Sequence, residues 1–186
     1  MNGRRQLTIA VVVIALVSVF VAAGRSLLRS ELAPVGVGVE APDFNVNTLD
    51  SIPQKRTLDD YRGNVLMINI WATWCAPCRV EMPGIEQLHR AYEGKGLKIL
   101  AVSVDDPGTE PQIRSFVKEY GLSFEVLHDP GGQEGRVSRD YQTTGYPETV
   151  IIGRDGIIRK KLLGAHDWNS VENRALIDRL LAEKAD

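Results

Sequence analysis

Trp74-Cys75-Ala76-Pro77-Cys78 is the stretch of this chain whose residue types and spacing can do chemistry. Two cysteines two residues apart, after a buried strand and at the start of a helix, read as a redox dithiol. Cys75 falls at the helix N-terminus, where unpaired N–H groups and the helix dipole favour a thiolate, the attacking form of cysteine. Cys78 follows about one turn later, near enough to attack a mixed disulfide formed at Cys75 and release the bound product. Pro77 fits a first helical turn, which needs no N–H from it, and stiffens the connection. The chain has no other cysteine, so the pair closes on itself or reacts with a partner.

Other chemistries fit these residues less well. A structural zinc site takes four ligands, often as two such pairs, and here there is one pair. His89, His128 and His166 lie far from it without paired spacing, and each reads as a surface or helix-end residue. A purely structural disulfide is awkward over so short a loop. Glu81 stands three residues after Cys78, one helical turn on, where a partly buried carboxylate could accept and return a proton. The competing reading is a solvated first-turn glutamate favoured by the dipole. Trp71 reads as core packing and Trp74 as a lid beside Cys75 whose fluorescence reports redox state. Arg79 either assists the thiolate or faces solvent.

Around this stretch, strands alternate with helices. Phe44 and Val46 alternate with polar neighbours as in an edge strand, and Asn64–Trp71 (NVLMINIW) is an apolar run typical of a strand covered on both faces. A helix then runs to about Tyr92, closed by Gly94-Lys95-Gly96. Leu97–Val104 predicts a second buried strand, and Pro111 the first turn of a helix ending near Tyr120. Phe124–Leu127 reads as a short strand and Gly135–Tyr141 as a short helix. Thr149–Ile152 and Ile157–Leu163 flank Gly153-Arg154-Asp155-Gly156 as a hairpin. Asp167 can cap a last helix with Val171, Leu176, Ile177, Leu180 and Leu181 on its apolar face. The order is α/β, a mixed sheet with helices on both faces.

The 186 residues are 44% apolar and 25% charged, as in an ordinary globular protein. All four charged residues before Glu31 are arginines (Arg4, Arg5, Arg25, Arg29), so the net charge of −2 leaves −6 on the rest. That acidic balance argues against a nucleic-acid partner. Leu7–Ala23 is an uncharged apolar run of 17 residues, about 26 Å as a helix and close to the hydrocarbon thickness of a bilayer. A buried core helix fits poorly, since nothing amphipathic appears. A cleaved signal peptide is the alternative, with Val21-Ala22-Ala23 as a cleavage site, but the run exceeds the usual h-region. The expectation is an uncleaved membrane anchor at 1–30, a linker at 31–40 and one folded domain at 41–186. Two arginines at each end leave the orientation open.

The sequence resembles the thioredoxin superfamily, in its membrane-anchored TlpA/ResA/CcmG-like branch. The marks are Ala41-Pro42-Asp43-Phe44, Asn69-Ile70-Trp71-Ala72-Thr73-Trp74-Cys75-Ala76-Pro77-Cys78-Arg79, Glu81, Pro83 and Gly145-Tyr146-Pro147-Glu148-Thr149. The resemblance covers about residues 36 to 183. It implies a thioredoxin-like fold with an inserted βα element, in agreement with the 69-residue step from Cys78 to Pro147. It implies Cys75 as the exposed nucleophile, Cys78 as the buried resolving thiol and a redox-active Cys75–Cys78 disulfide. Pro147 matches the family's cis-proline beside the dithiol, and Tyr146 would offer its backbone to an extended substrate segment. Glu81 matches an acid close to the dithiol. Pro83 matches a helix-kinking proline. Glu148 either shapes partner recognition or is a surface charge at a strand entry.

Taken together these residues imply protein thiol–disulfide exchange on the outer face of a bacterial cytoplasmic membrane, with no cofactor and no metal. The expected direction is reductive. The resemblance suggests apocytochrome c as the disulfide-containing substrate and a CcdA/DsbD-like membrane protein as electron donor. A disulfide-donating oxidase would keep the same residues with a lower Cys75 pKa. A Cu(I) carrier is the alternative from another class, although known carriers of this fold resemble a wider cysteine spacing with a partner histidine. Peroxiredoxins share the Ala-Pro-Asp-Phe start, but their single peroxidatic cysteine context is missing.

Overall fold

The run expected to be covered on both faces is the core strand β3 (Val65–Trp71), every residue of which is buried in the computed structural model. The structure describes residues 9, 11–21 and 34–183. The chain divides into two compact units, Met1–Pro34 and Val35–Asp186. In the second, β3 lies within a seven-stranded sheet with β1 (Asn45–Thr48), β2 (Lys55–Thr57), β4 (Leu97–Ser103), β5 (Glu125–His128), β6 (Glu148–Ile152) and β7 (Ile158–Leu163). The order is β2-β1-β5-β4-β3-β6-β7. β3, β4 and β5 run parallel, and every other pairing is antiparallel. The sheet is therefore mixed, as expected.

Helix α1 (Ala76–Tyr92) joins β3 to β4, and α2 (Glu110–Glu119) joins β4 to β5. Two right-handed crossovers progressing in one direction put both helices on one face. The Trp71 ring 4.7 Å from Phe116 of α2 agrees. The last helix, α4 (Val171–Ala182), shares that face, since Tyr92 Oη donates to Asp178 at 2.8 Å. Short α3 (Arg136–Asp140) serves the other face: Lys161, the register partner of Val150, donates to the carbonyl of Tyr141 just beyond it. Two strand–helix units, β4–α2 and β5–α3, thus separate α1 from β6, which accounts for the long step from Cys78 to Pro147.

Several expectations need correction. β1 is not an edge strand, because β2 covers it, and Lys55-Arg56-Thr57 has no apolar alternation to announce a strand. The end of the expected linker, residues 38–40, is tied to the folded unit: the Gly38 N–H donates to the Ile158 carbonyl, the Ile158 N–H to the Val39 carbonyl, and Glu40 bridges Ile157. Ser170 caps α4 by accepting from the Asn173 N–H, while Asp167 turns its carboxylate to the Asn169 N–H. Ile177 and Leu180 are buried as expected, but Val171 is 80% exposed because it precedes the first inward turn of α4.

Of the apolar run Leu7–Ala23, residues 9 and 11–21 are helical and exposed. Its ends, the four flanking arginines and most of Val21-Ala22-Ala23 lie outside the described residues. Among the described residues no helix is long and apolar enough to cross a membrane.

The burial pattern of α4 sets a contrast. Ile177→Ala should lower the unfolding free energy by about 2–5 kcal/mol in urea titrations, as expected for emptying a packed site. Val171→Ala should stay within about 0.5 kcal/mol.

Candidate active site

β3 ends and α1 begins across Ala72-Thr73-Trp74-Cys75, and the turn is fixed at both ends. The Cys75 N–H donates to the Ala72 carbonyl at 3.1 Å, and the Arg79 N–H to the Cys75 carbonyl at 3.2 Å. Cys75 is the N-cap of α1, with extended backbone, and its Sγ accepts from the Cys78 N–H at 3.2 Å. Ala76 and Pro77 are the first two helical residues, so the missing proline N–H leaves no helical bond unmade. The sulfurs are joined as a disulfide across a Cα–Cα distance of 5.3 Å. A thiolate released at Cys75 would sit where that backbone N–H and the dipole stabilise it.

The buried Asp105 carboxylate holds the turn from the neighbouring strand end. It accepts from Thr73 N–H at 2.9 Å, Thr73 Oγ1 at 2.6 Å and Ser103 Oγ at 2.6 Å. Sequence reading missed Asp105. Its one signal is position: an acid at the carboxyl end of a parallel strand, where open α/β sheets place their sites.

Cys78 is fully buried, and Cys75 keeps only 4% of its surface, so the expectation of an exposed nucleophile is corrected. In the disulfide form both sulfurs are covered, and the exposed group beside them is Trp74, at 64%. Its ring meets Tyr146 edge-on at 5.9 Å, which brings the Tyr146-Pro147 turn to the dithiol. The Tyr146–Pro147 bond is cis, Pro147 is buried and Tyr146 half-buried. Tyr146 Oη lies 3.1 Å from Ser138 Oγ of α3, and the Gly164 N–H donates to the Pro147 carbonyl at 2.7 Å. Trp71 packs in the core as expected. Arg79 sets its guanidinium on the rings of Phe116 and Tyr120 and donates from Nε to Tyr120 Oη at 3.1 Å, turned toward α2.

Glu81 is 3% exposed, which removes the reading of a solvated first-turn glutamate. Its Oε1 accepts from Asn69 Nδ2 at 2.7 Å; its Oε2 accepts from the His166 N–H at 3.2 Å and Trp168 Nε1 at 3.3 Å. Burial raises its pKa above the usual carboxylate value, and the three donors pull it back without cancelling the rise. It is therefore an acid poised one helical turn from the resolving cysteine. Asn69, His166 and Trp168 were not anticipated as its partners. The fold brings His166 to Glu81 through its backbone, although the sequence placed no histidine near the cysteines.

Glu148 is buried too, so it is not a surface charge. Thr149 faces Asn69 and hence α1, so its neighbour Glu148 points to the opposite side of the sheet. There it lies 3.5 Å from Lys161 Nζ. Burial pushes its pKa up, against Thr143 and Lys161. The fold thus separates two buried carboxylates that the sequence placed near one site. His128 is also buried, between the Asp105 carbonyl and Glu110, not at the surface. Among the described residues no group of three or more His, Cys, Asp or Glu side chains is placed to hold a metal.

A dithiol capping a helix, a cis-proline turn beside it and a buried acid behind it can exchange disulfides and move the accompanying proton. Comparison with known proteins agrees. Residues 37–161 match the AhpC/TSA family profile. The thioredoxin-like protein YneN of Bacillus subtilis is 36% identical over 142 residues, 76% of this chain and 79% of that protein. The thiol-disulfide oxidoreductase ResA of Oceanobacillus iheyensis is 38% identical over 138 residues, 73% of this chain and 69% of that protein. Among solved structures, one assigned to a thiol:disulfide interchange protein DsbE of Chlorobium tepidum superposes with a TM-score of 0.68 at 27% identity, covering 79% of this chain and 97% of that one.

The raised Glu81 pKa has a signed consequence for stability. A carboxyl that binds its proton more tightly when folded contributes stability at low pH, and that contribution is lost as pH rises through its folded value. The stability difference between Glu81→Gln and wild type, both oxidised, should move in favour of the variant from about pH 4 to about pH 8. Thermal unfolding at each pH measures it, and a constant difference would mean that Glu81 is not held above the usual range.

Proposed function

Because the chain belongs to the AhpC/TSA family, in its TlpA/ResA/CcmG-like branch of thiol–disulfide oxidoreductases, we propose that it reduces disulfides of partner proteins outside the cytoplasmic membrane. The observation that carries this reading is the Cys75–Cys78 pair at the α1 N-terminus with the buried Glu81 carboxylate one turn behind it. The Cys75 thiolate attacks one sulfur of a partner disulfide, forming a mixed disulfide and releasing the first partner thiolate. Cys78 then gives its proton to Glu81 and attacks Cys75 Sγ. The Cys75–Cys78 bond forms, the bond to the partner breaks, and the second partner thiolate leaves. The partner disulfide gains two electrons, and the dithiol has lost them.

The setting is part of the proposal. The apolar run Leu7–Ala23 supports a single-pass anchor at the N-terminus, and the family resemblance supports an extracytoplasmic setting for the dithiol. The family resemblance supports apocytochrome c, whose haem-attachment cysteines must be reduced, as substrate. A CcdA/DsbD-like membrane protein would return two electrons to the disulfide after each turnover. Trp74 and the Tyr146-Pro147 turn form the surface met by the partner segment, whose backbone would align with Tyr146 as an added strand.

The first test is the equilibrium potential of the full chain in thiol/disulfide buffers, followed by tryptophan fluorescence. A value near or below the ~−270 mV of thioredoxin supports a reductant, and one near the ~−120 mV of a strong oxidant reverses the direction. Cys75→Ser should abolish reduction of insulin disulfides. Cys78→Ser should accumulate a mixed disulfide at Cys75 that gel electrophoresis without reductant displays. Turnover retained by Cys75→Ser would remove the dithiol mechanism.

A further inference from the structure

Position 69 is the one polar place in a strand that is otherwise Val, Leu, Met, Ile and Trp, and it is fully buried. An apolar side chain there would pack without any desolvation cost, so the amide needs a reason. Both of its hydrogens are committed: Nδ2 donates to Glu81 Oε1 at 2.7 Å and to Thr149 Oγ1 at 2.9 Å. Its Oδ1 meets no donor among the described residues. The amide thus joins α1 to β6, holding a carboxylate on one side and a strand hydroxyl on the other.

The oxygen it touches matters. Glu81 Oε2 already accepts two hydrogen bonds, from His166 and Trp168, which fill its two lone pairs. Oε1 accepts one, from Asn69, and keeps a lone pair open. Oε1 is therefore the oxygen with room for a proton, and Asn69 is the group that holds it. Thr149, two residues beyond cis Pro147 on β6, braces Asn69 in turn.

We propose that Asn69 is a positioning residue for the proton transfer at Cys78, fixing Glu81 Oε1 while Thr149 fixes Asn69. This rests on Glu81 as the proton acceptor of Cys78 and assigns that acceptor its anchor. Without the Asn69 donor the ionised carboxylate loses a charge-assisted hydrogen bond, so Glu81 keeps its proton to higher pH and accepts none from Cys78 until then.

The test reads Cys78 directly. The reduced full chain is treated with one equivalent of 5,5′-dithiobis(2-nitrobenzoate), which loads thionitrobenzoate on Cys75. Attack by Cys78 then releases the second thionitrobenzoate, followed by absorbance in stopped flow across pH. Asn69→Leu should move the midpoint of this profile upward by about one pH unit, a roughly tenfold slower release below the midpoint, with the alkaline plateau unchanged. Thr149→Val should move it the same way by less. In a Glu81→Gln background, Asn69→Leu should add no further shift. Should Asn69→Leu fail to fold, Asn69→Ser and Thr149→Val carry the same measurement. A profile superimposable on wild type, with only the melting temperature lowered, would overturn the proposal and leave Asn69 a structural residue. Should Glu81→Gln itself leave the profile unmoved, the proton-acceptor reading falls and this inference with it. A shift in Glu81→Gln but not in Asn69→Leu sinks the inference alone.

Discussion

Cys75 can cap α1 only if β3 stops and the helix starts within a few residues, and much of the described structure serves that constraint. The strand is held between β4 and β6 so that its end is fixed in space. Asp105 takes both donors of Thr73 and stops the turn from drifting. The cis-proline turn closes the remaining side through Trp74 and Tyr146. What results is a sulfur aligned with backbone N–H groups that exist in any helix but are seldom aimed at a reactive atom. The reactivity of the pair is thus a property of where an ordinary helix begins.

The second constraint is a charge kept dry. Glu81 sits in the layer between β3 and α1, where burial favours its neutral form and three donors favour the ionised one. Burial prevails, and the donors limit the rise. A fully solvated glutamate would be too weak a base near neutral pH, and one buried without donors would hold its proton too firmly. Glu148, on the far face, shows the same opposition with Thr143 and Lys161. Two similar buried acids therefore stand on opposite faces of the sheet, Glu81 from α1 and Glu148 from β6.

What could be read from the sequence was local. The β3 run, the cysteine spacing, Pro77 in the first turn and Glu81 one turn on all lie within short windows, and each appears as expected. What could not be read was made by distant parts of the chain. Asn69 meets Thr149 across 80 positions, and Trp168 reaches Glu81 across 87. No periodicity carries that information. Glu148 was open to misreading because charged side chains are ordinarily exposed, and its burial depends on a lysine from β7. Asp167 and Ser170 are both good caps three residues apart, and only the path of the chain decides that Ser170 reaches the Asn173 N–H. Cys75 was expected to be more open than it is, since a dithiol motif says nothing of what the disulfide form covers.

The donors to Glu81 Oε2 come from the stretch just before α4, 85 and 87 positions after it. During synthesis the cysteines and their helix therefore leave the ribosome long before the residues that complete the acid's surroundings. Until His166 and Trp168 are in place, Glu81 Oε2 lacks both of its donors. The order of translation thus delivers the acid well before the groups that hold its Oε2, and the site is complete only once residue 168 has emerged.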